Sequence, residues 1–409
     1  MRHGDVRMRG FAQRSRVSDV WQWLQTHVQP LPPETAPVTA AAGRVLAAEV
    51  TSAMDVPGFA RAMMDGYALQ AADTAGASPY NPVPLSVVDE SLPGHPARAL
   101  VTPGQAVRIM TGAPLPAGAD AVLPAEYVSA QSARILALHE VSPGKHVALP
   151  GEDIAAGTLV LSCGRRLRPQ DVGVLASIGV GAVQVVRPPR VRIVVTGNEL
   201  LPPGARPQGS QIVDSNSPML AALVARDGGL VRNPGIVPDD PHQIRAAMTD
   251  EADVILVSGG SSVGQEDHAP RLLAEDGELV FHGIAMRPSS PAGLGRLGTR
   301  LVFLLPGNPV SCLCAYDFFA GRAVRLLGGR TWEWPYRSCR RTLRRKLVST
   351  VGRVDYARVK LVDEQIEPLA ISGAAILSST TRADGFVVVP EDSEGYAEGT
   401  EVELFLYDS

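Results

Sequence analysis

Apolar residues fall at helical spacing early in the chain, where Val17, Val20, Trp21, Leu24 and Val28 mark one buried helix face. Ser18 is the expected N-cap, and Pro30, Pro32 and Pro33 end the helix. From 55 to 147 the texture changes to short β-type runs, Pro84 to Val88, Ala106 to Met110, Ala121 to Leu123 and Arg134 to Leu138, alternating with Gly/Pro turns. This predicts a small barrel-like β insert. Turns, a helix at Pro169 to Ile178 and a strand at Ala182 to Val186 follow. Between 190 and 330 the apolar runs VRIVVTG (191–197), ADVILVSGG (252–260) and LVFLLPG (301–307) have the continuous character of strands buried on both faces. Helical patterns at Ser217 to Arg226, Gln243 to Thr249 and Pro309 to Leu327 lie among them, so the region predicts a doubly wound α/β domain. The tail returns to strands, ARVKLV, GFVVVP and EVELFLYD, as a compact antiparallel β domain. The basic run from Arg337 to Lys346 fits a solvated strand face.

A chain of 409 residues exceeds one ordinary core, which predicts two to four domains. The expected partition is 15–54 with 148–187 as a discontinuous linker and dimerisation domain, 55–147 as the insert, 188–331 as the α/β domain and 332–409 as the last β domain. A formal net charge of -4 argues against a nucleic-acid surface, so an anionic ligand must be held by local devices. The four cysteines form no CxxC pair and the eight histidines show no ligand spacing, which argues against structural zinc or a disulfide framework. The first ten residues are basic without the apolar core of a signal peptide, and no apolar run reaches the roughly 20 residues of a membrane span. A soluble cytoplasmic protein is expected.

Three strand ends are dense in small and polar residues: Thr196-Gly197-Asn198-Glu199, the run Ser258 to Gly264, and Pro306 to Ser311. Ligands of open α/β sheets bind beyond such ends, where glycines let a ligand approach backbone N–H groups. Gly259, Gly260, Ser262 and Gly264 belong to the second loop, Gly307 and Asn308 to the third. The helix after Pro309 would offer a positive dipole end. The Gly-rich loop is neither a Walker A motif nor a dinucleotide fingerprint. Asp267, just beyond it, is placed either to hold magnesium beside phosphate or to cap the helix beginning near Pro270. Glu199 either converges on the same crevice or is a solvated loop carboxylate.

Further segments complete an ordered set: MMDGYAL (63–69), RIMTGAPLPAGADAVLPAE (108–126), PGEDIAAG (150–157), VVTGNELLPPG (194–204), QIVDSNSPML (211–220), PDDP (238–241), SGGSSVGQEDH (258–268), LPGNPVSC (305–312) and ILSSTTRADGFVVVP (376–390). From about residue 15 onward the chain resembles the molybdopterin molybdotransferase family, MoeA in bacteria, related to the C-terminal domain of gephyrin. The resemblance implies a doubly wound α/β molybdopterin-binding domain with an inserted β domain and a C-terminal β-barrel-like domain, in a homodimer that inserts molybdate into adenylyl-molybdopterin and releases AMP, with Mg2+. A molybdopterin adenylyltransferase is a candidate partner. By motif position, Glu199 and Asp267 would be the metal carboxylates and Asp239 an acidic site position. Asp65, Thr111 and Asp153 would be polar cleft positions, while Arg287, Ser311, Arg358 and Ser379 would fall near the molybdate pocket. Two departures stand out. The family's Lys-Pro-Gly-Lys-Pro turn reads Arg287-Pro288-Ser289-Ser290-Pro291 here, and Ala62 stands near where a serine usually precedes the MDGYA segment. A non-catalytic pterin-nucleotide binder or scaffold is the rival reading. An adenylyltransferase acting one step earlier would lack the β insert and tail.

Overall fold

A computed structural model describes residues 14–233, 235–260, 267–370 and 373–407. They divide into two compact units, one of Thr35–Ala42 and Leu46–Gln184, the other of the chain to Glu34, Gly43–Val45 and Val185 onward.

The first unit is built on a six-stranded mixed sheet in the order Ala121–Pro124, Gly66–Leu69, Gln105–Ile109, Val83–Ser91, Arg134–Ala137, Val128–Gln131. The edge strands Ala121–Pro124 and Val128–Gln131 do not pair, so the sheet is open where the turn-rich sequence suggested a barrel. Apolar clusters form around Leu69, Leu85, Leu123 and Ile135, and around Ala68, Ile109 and Val122. The helix Pro169–Ser177 begins with Pro169, which has no N–H to lose, and Asp171 accepts the backbone N–H of Arg168 at 2.8 Å.

The second unit contains a seven-stranded sheet whose main path runs Leu230–Arg232, Arg190–Thr196, Val254–Ser258, Arg300–Leu305, Gly293–Leu297, Glu278–His282. The first four strands are parallel and the last two antiparallel. Period-2 alternation divides the apolar residues between the two faces. Val191, Ile193 and Val195 pack with the helix Asn216–Arg226 and the long helix after Pro309, while Val194, Ile255 and Val257 pack with Pro241–Met248 and His268–Asp276. From Arg190–Thr196 the chain crosses to Leu230–Arg232 on one side, then returns to Val254–Ser258 on the other. The carboxyl ends Thr196 and Ser258 therefore flank the topological switch point, where doubly wound sheets hold ligands.

The early helix spans Val17–His27 and its buried Val17, Val20 and Leu24 join this core. Its N-cap is Arg16, with no side-chain cap, and Ser18 lies one residue inside the helix. The predicted helix from Pro309 to Leu327 is continuous but contains a π-helical turn, Tyr316–Ala320, between Pro309–Ala315 and Gly321–Leu327. Asp317 and Phe318 carbonyls in that turn accept the indole N–H groups of Trp334 and Trp21 at 3.0 and 2.9 Å.

The tail closes into a five-stranded barrel of Val354–Val362, Gln365–Ala370, Arg337–Leu343, Glu401–Leu406 and Gly385–Val389. It is antiparallel except where Thr342 and Leu343 pair in parallel with Gln365 and Ile366. Before the barrel, Met286–Arg287 pairs in parallel with Val354 and Asp355. Among the described residues no helix is long and apolar enough to cross a membrane, and all four cysteines are free.

Candidate functional site

At the switch point three loops pack against one another. Gly259 has φ +93, and a Cβ there would lie 2.3 Å from the Thr196 carbonyl oxygen, so only glycine allows the two strand ends to touch. Its Cα in turn lies 3.6 Å from where a Cβ of Gly307 would stand. Asn216 ties the group together: its Nδ2 donates to Ser258 Oγ at 2.9 Å and to the Gly307 carbonyl at 2.8 Å. Asp214 positions Asn216, accepting the N–H groups of Asn216 and Ser217 at 2.9 and 3.0 Å as the helix begins. Asn198 and Asp239 form a reciprocal pair, each side chain accepting the other's backbone N–H, at 3.1 and 3.2 Å.

These loops enclose a cavity of about 680 Å³. Gly197, Glu199, Asp239, Ser258, Gly259, Gly260, Asp267, Pro306, Gly307 and Asn308 all line it, so the candidates from three strand ends come together. Asp214 and Asn216 line it too. Neither was singled out beforehand, although the Asp-Ser-Asn-Ser-Pro run before an apolar helical pattern is a helix-start signal. Thr196 Oγ1 and Asn216 Oδ1 lie buried beside the cavity without a hydrogen-bond partner among the described residues. Ser262 and Gly264 lie outside the described residues.

Asp267 is the N-cap residue of His268–Asp276 by backbone position, and it lines the cavity as well. Among the described residues no three acidic, His or Cys side chains cluster as a ready metal cage. Glu199, Asp239 and Asp267 nevertheless offer hard carboxylate oxygens to one space, which suits a magnesium ion that takes one or two carboxylates and completes its shell with water and phosphate.

A second cavity of about 990 Å³ adjoins the first, and Pro291, Pro306 and Asn308 line both. Arg14, Arg16, Arg287, Ser289, Ser290, Ser311 and Arg353 line this one. Arg287 forms a two-point ion pair with the fully buried Asp355, its Nε at 3.0 Å from Oδ1, and Ser349 donates to the same carboxylate at 2.6 Å. Arg287 thus lines the cavity while its charge is paired within the fold. Ser289 stands at φ +92 where the family turn has glycine, and its hydroxyl donates to the Ser311 carbonyl at 2.5 Å. The helix start after Pro309 is less open than expected, because the Val310 N–H donates to the Ala374 carbonyl at 2.9 Å.

Arg358 and Ser379 line neither cavity. Arg358 is fully buried on the barrel strand Val354–Val362, and the Ser379 hydroxyl donates to the Ile376 carbonyl at 2.6 Å. In the first unit, Asp65 accepts both the hydroxyl and the backbone N–H of Thr111 at 2.7 Å. The Thr111 hydroxyl, then its N–H, holds the Asp65 carboxyl below the usual carboxylate range. Asp153 is exposed, and its backbone N–H donates to the Val56 carbonyl at 3.0 Å. The two buried thiols are poor candidates for chemistry: burial pushes Cys312 up to about 12 and raises Cys314 as well.

Comparison with known proteins agrees with this architecture. Residues 15–179 match the "MoeA N-terminal region (domain I and II)", 192–325 the "Probable molybdopterin binding domain" and 340–407 the "MoeA C-terminal region (domain IV)". Molybdopterin molybdenumtransferase 2 of Mycobacterium tuberculosis is 35% identical over 386 residues, covering 91% of this chain and 95% of that protein. The molybdopterin molybdenumtransferase of Haemophilus influenzae is 31% identical, covering 89% and 91%. The crystal structure of the molybdopterin biosynthesis MoeA protein from Pyrococcus horikoshii OT3 superposes with a TM-score of 0.78 at 32% identity, covering 97% of this chain and 100% of that one. On matches spanning both units, the chain belongs to the MoeA family of molybdopterin molybdenumtransferases, transferases of molybdenum-cofactor biosynthesis.

Proposed function

We propose that this protein inserts molybdate into adenylyl-molybdopterin and releases AMP. The observation that carries the reading is the pair of adjoining cavities: one rich in carboxylates and glycine loops at a switch point, the other lined by four arginines beside Glu391 and Asp392, with Pro291, Pro306 and Asn308 common to both. The phosphoanhydride lies over Gly259 and Gly260, where the backbone is accessible, and molybdate occupies the arginine-lined cavity. Glu199 and Asp267 would hold magnesium, which when bound neutralises charge on the phosphate oxygens as the anhydride breaks. Asn198 and Asp239 keep the two flanking loops in register, and Asn216 keeps the Ser258 and Gly307 loops closed on each other. The chain's work is to hold two anions side by side, since positioning supplies much of the acceleration in such transfers. The four-domain partition, a homodimer, roles for Asp65, Thr111 and Asp153 in the same reaction, docking of an adenylyltransferase and a cytoplasmic location belong to the same proposal.

The test is AMP release by purified protein given adenylyl-molybdopterin, magnesium and molybdate. Asp267→Asn and Glu199→Gln should each slow release by roughly 100-fold or more while the fold is retained. Molybdate-dependent release at the wild-type rate in both variants overturns the assignment, and binding without turnover in the wild type favours the non-catalytic reading.

A further inference from the structure

The larger cavity draws four arginines from three stretches of chain, and three of them are already answered by carboxylates. Arg16 pairs with Glu391, Arg287 with Asp355, and the Arg353 Nε lies 3.6 Å from Asp355. Arg14 differs. Among the described residues its side chain meets no carboxylate, and its Nε donates to the Ser290 hydroxyl at 2.8 Å. A neutral partner leaves the guanidinium its full charge and most of its five donors.

The backbone holds Arg14 at the cavity. Ser15 pairs as a short parallel bridge, its N–H donating to the Gly283 carbonyl at 3.0 Å and its carbonyl accepting the Ala285 N–H at 2.8 Å. In an extended segment, residues flanking such a bridge project to the same side, and both Arg14 and Arg16 line the cavity. The Ser290 hydroxyl, accepting that Nε–H, orients the guanidinium there.

We propose that Arg14 is the cation that contacts a small tetrahedral oxyanion in this cavity, oriented by Ser290 and delivered by the segment before the first helix. The proposal rests on the reading that molybdate occupies the arginine-lined cavity. Ser290 carries no charge of its own, so the cavity's uncommitted positive charge comes from a distant part of the sequence.

The experiment measures molybdate binding to the full chain by calorimetry, with AMP binding measured beside it. Arg14→Ala should weaken molybdate binding by roughly tenfold or more, the loss of one charge-assisted hydrogen bond, and leave AMP affinity unchanged. Adding Ser290→Lys to Arg14→Ala should recover most of the loss, because a cation then stands on the same wall. A merely structural role for Arg14 would not be rescued that way. Equal molybdate affinity in wild type and Arg14→Ala overturns the proposal alone. Wild-type protein that binds AMP but no molybdate overturns the reading beneath it, and the proposal with it.

Discussion

Gly259 shows how much one missing side chain does at this site. With φ +93 and the Thr196 carbonyl 2.3 Å from the place of a Cβ, alanine would strain the backbone and separate two strand ends at once. Gly259→Ala should cost about 2 kcal/mol or more of stability and weaken adenylate binding, measured by denaturant unfolding and by calorimetry. An unchanged midpoint together with unchanged affinity would contradict the close-packed switch point. Glu199, Gly259, Gly260 and Asp267 could be singled out from the sequence because they stand at or just past strand ends, where the pattern itself changes from apolar to small and polar, whereas Asp239 came only from its place in the family motif. Asn216, Asp214 and Arg14 could not be singled out. Their local signals speak only of a helix start and a basic leader, while their importance comes from what they reach across the fold. Arg287 was legible as a cavity residue, but no local pattern reveals its pairing with Asp355, 68 residues on.

At the scale of elements, the long helix after Pro309 carries its own polar cluster. Asp317 in the π-helical turn is fully buried and accepts Arg226 NH2 at 2.9 Å and the Tyr336 hydroxyl at 2.8 Å. The same Arg226 nitrogen lies 2.9 Å from the equally buried Asp227, which also faces Arg325. Removing the arginine leaves the buried Asp317 without its cation while Asp227 keeps Arg325, so Arg226→Ala should cost about 3–5 kcal/mol. Chemical denaturation gives the value, and a loss under about 1 kcal/mol would refute the network. The 3.6-residue pattern announced this helix from end to end but not its widened turn, because the cause is tertiary: two tryptophan indoles claim carbonyls that the regular ladder would have used. The barrel was legible from periodicity as strands, and its closure only through the resemblance to the family, which implies a barrel-like tail that the structure shows. Alternation fixes which face is buried, whereas the parallel Thr342–Gln365 register that completes the ring leaves no trace in periodicity.

For the molecule as a whole, the second unit buries weak acids that must stay neutral. Burial raises Cys312 from 9.0 to about 12, and raises Cys314, Tyr316, Tyr336, Tyr356 and Tyr407 above their ordinary values. Folded values above unfolded ones mean that the unfolded chain sheds these protons first as pH rises. Stability is therefore whole below about pH 9 and falls above it. Melting temperature should decline steadily from about pH 9 to 11, and a flat profile over that range would contradict the burial of these groups. The texture shifts near residues 55, 148, 190 and 335 made a multidomain chain legible, since each domain type imposes its own period. The parallel pairing of Met286–Arg287 with Val354–Asp355 has one more consequence. It sews the turn that forms a wall of the arginine-lined cavity onto a stave of the barrel, so repacking around Tyr356 or Phe386, where the barrel meets the α/β core, is transmitted to that cavity. With the oxyanion placed there as proposed, selections for altered oxyanion preference should return substitutions on this outer face of the barrel.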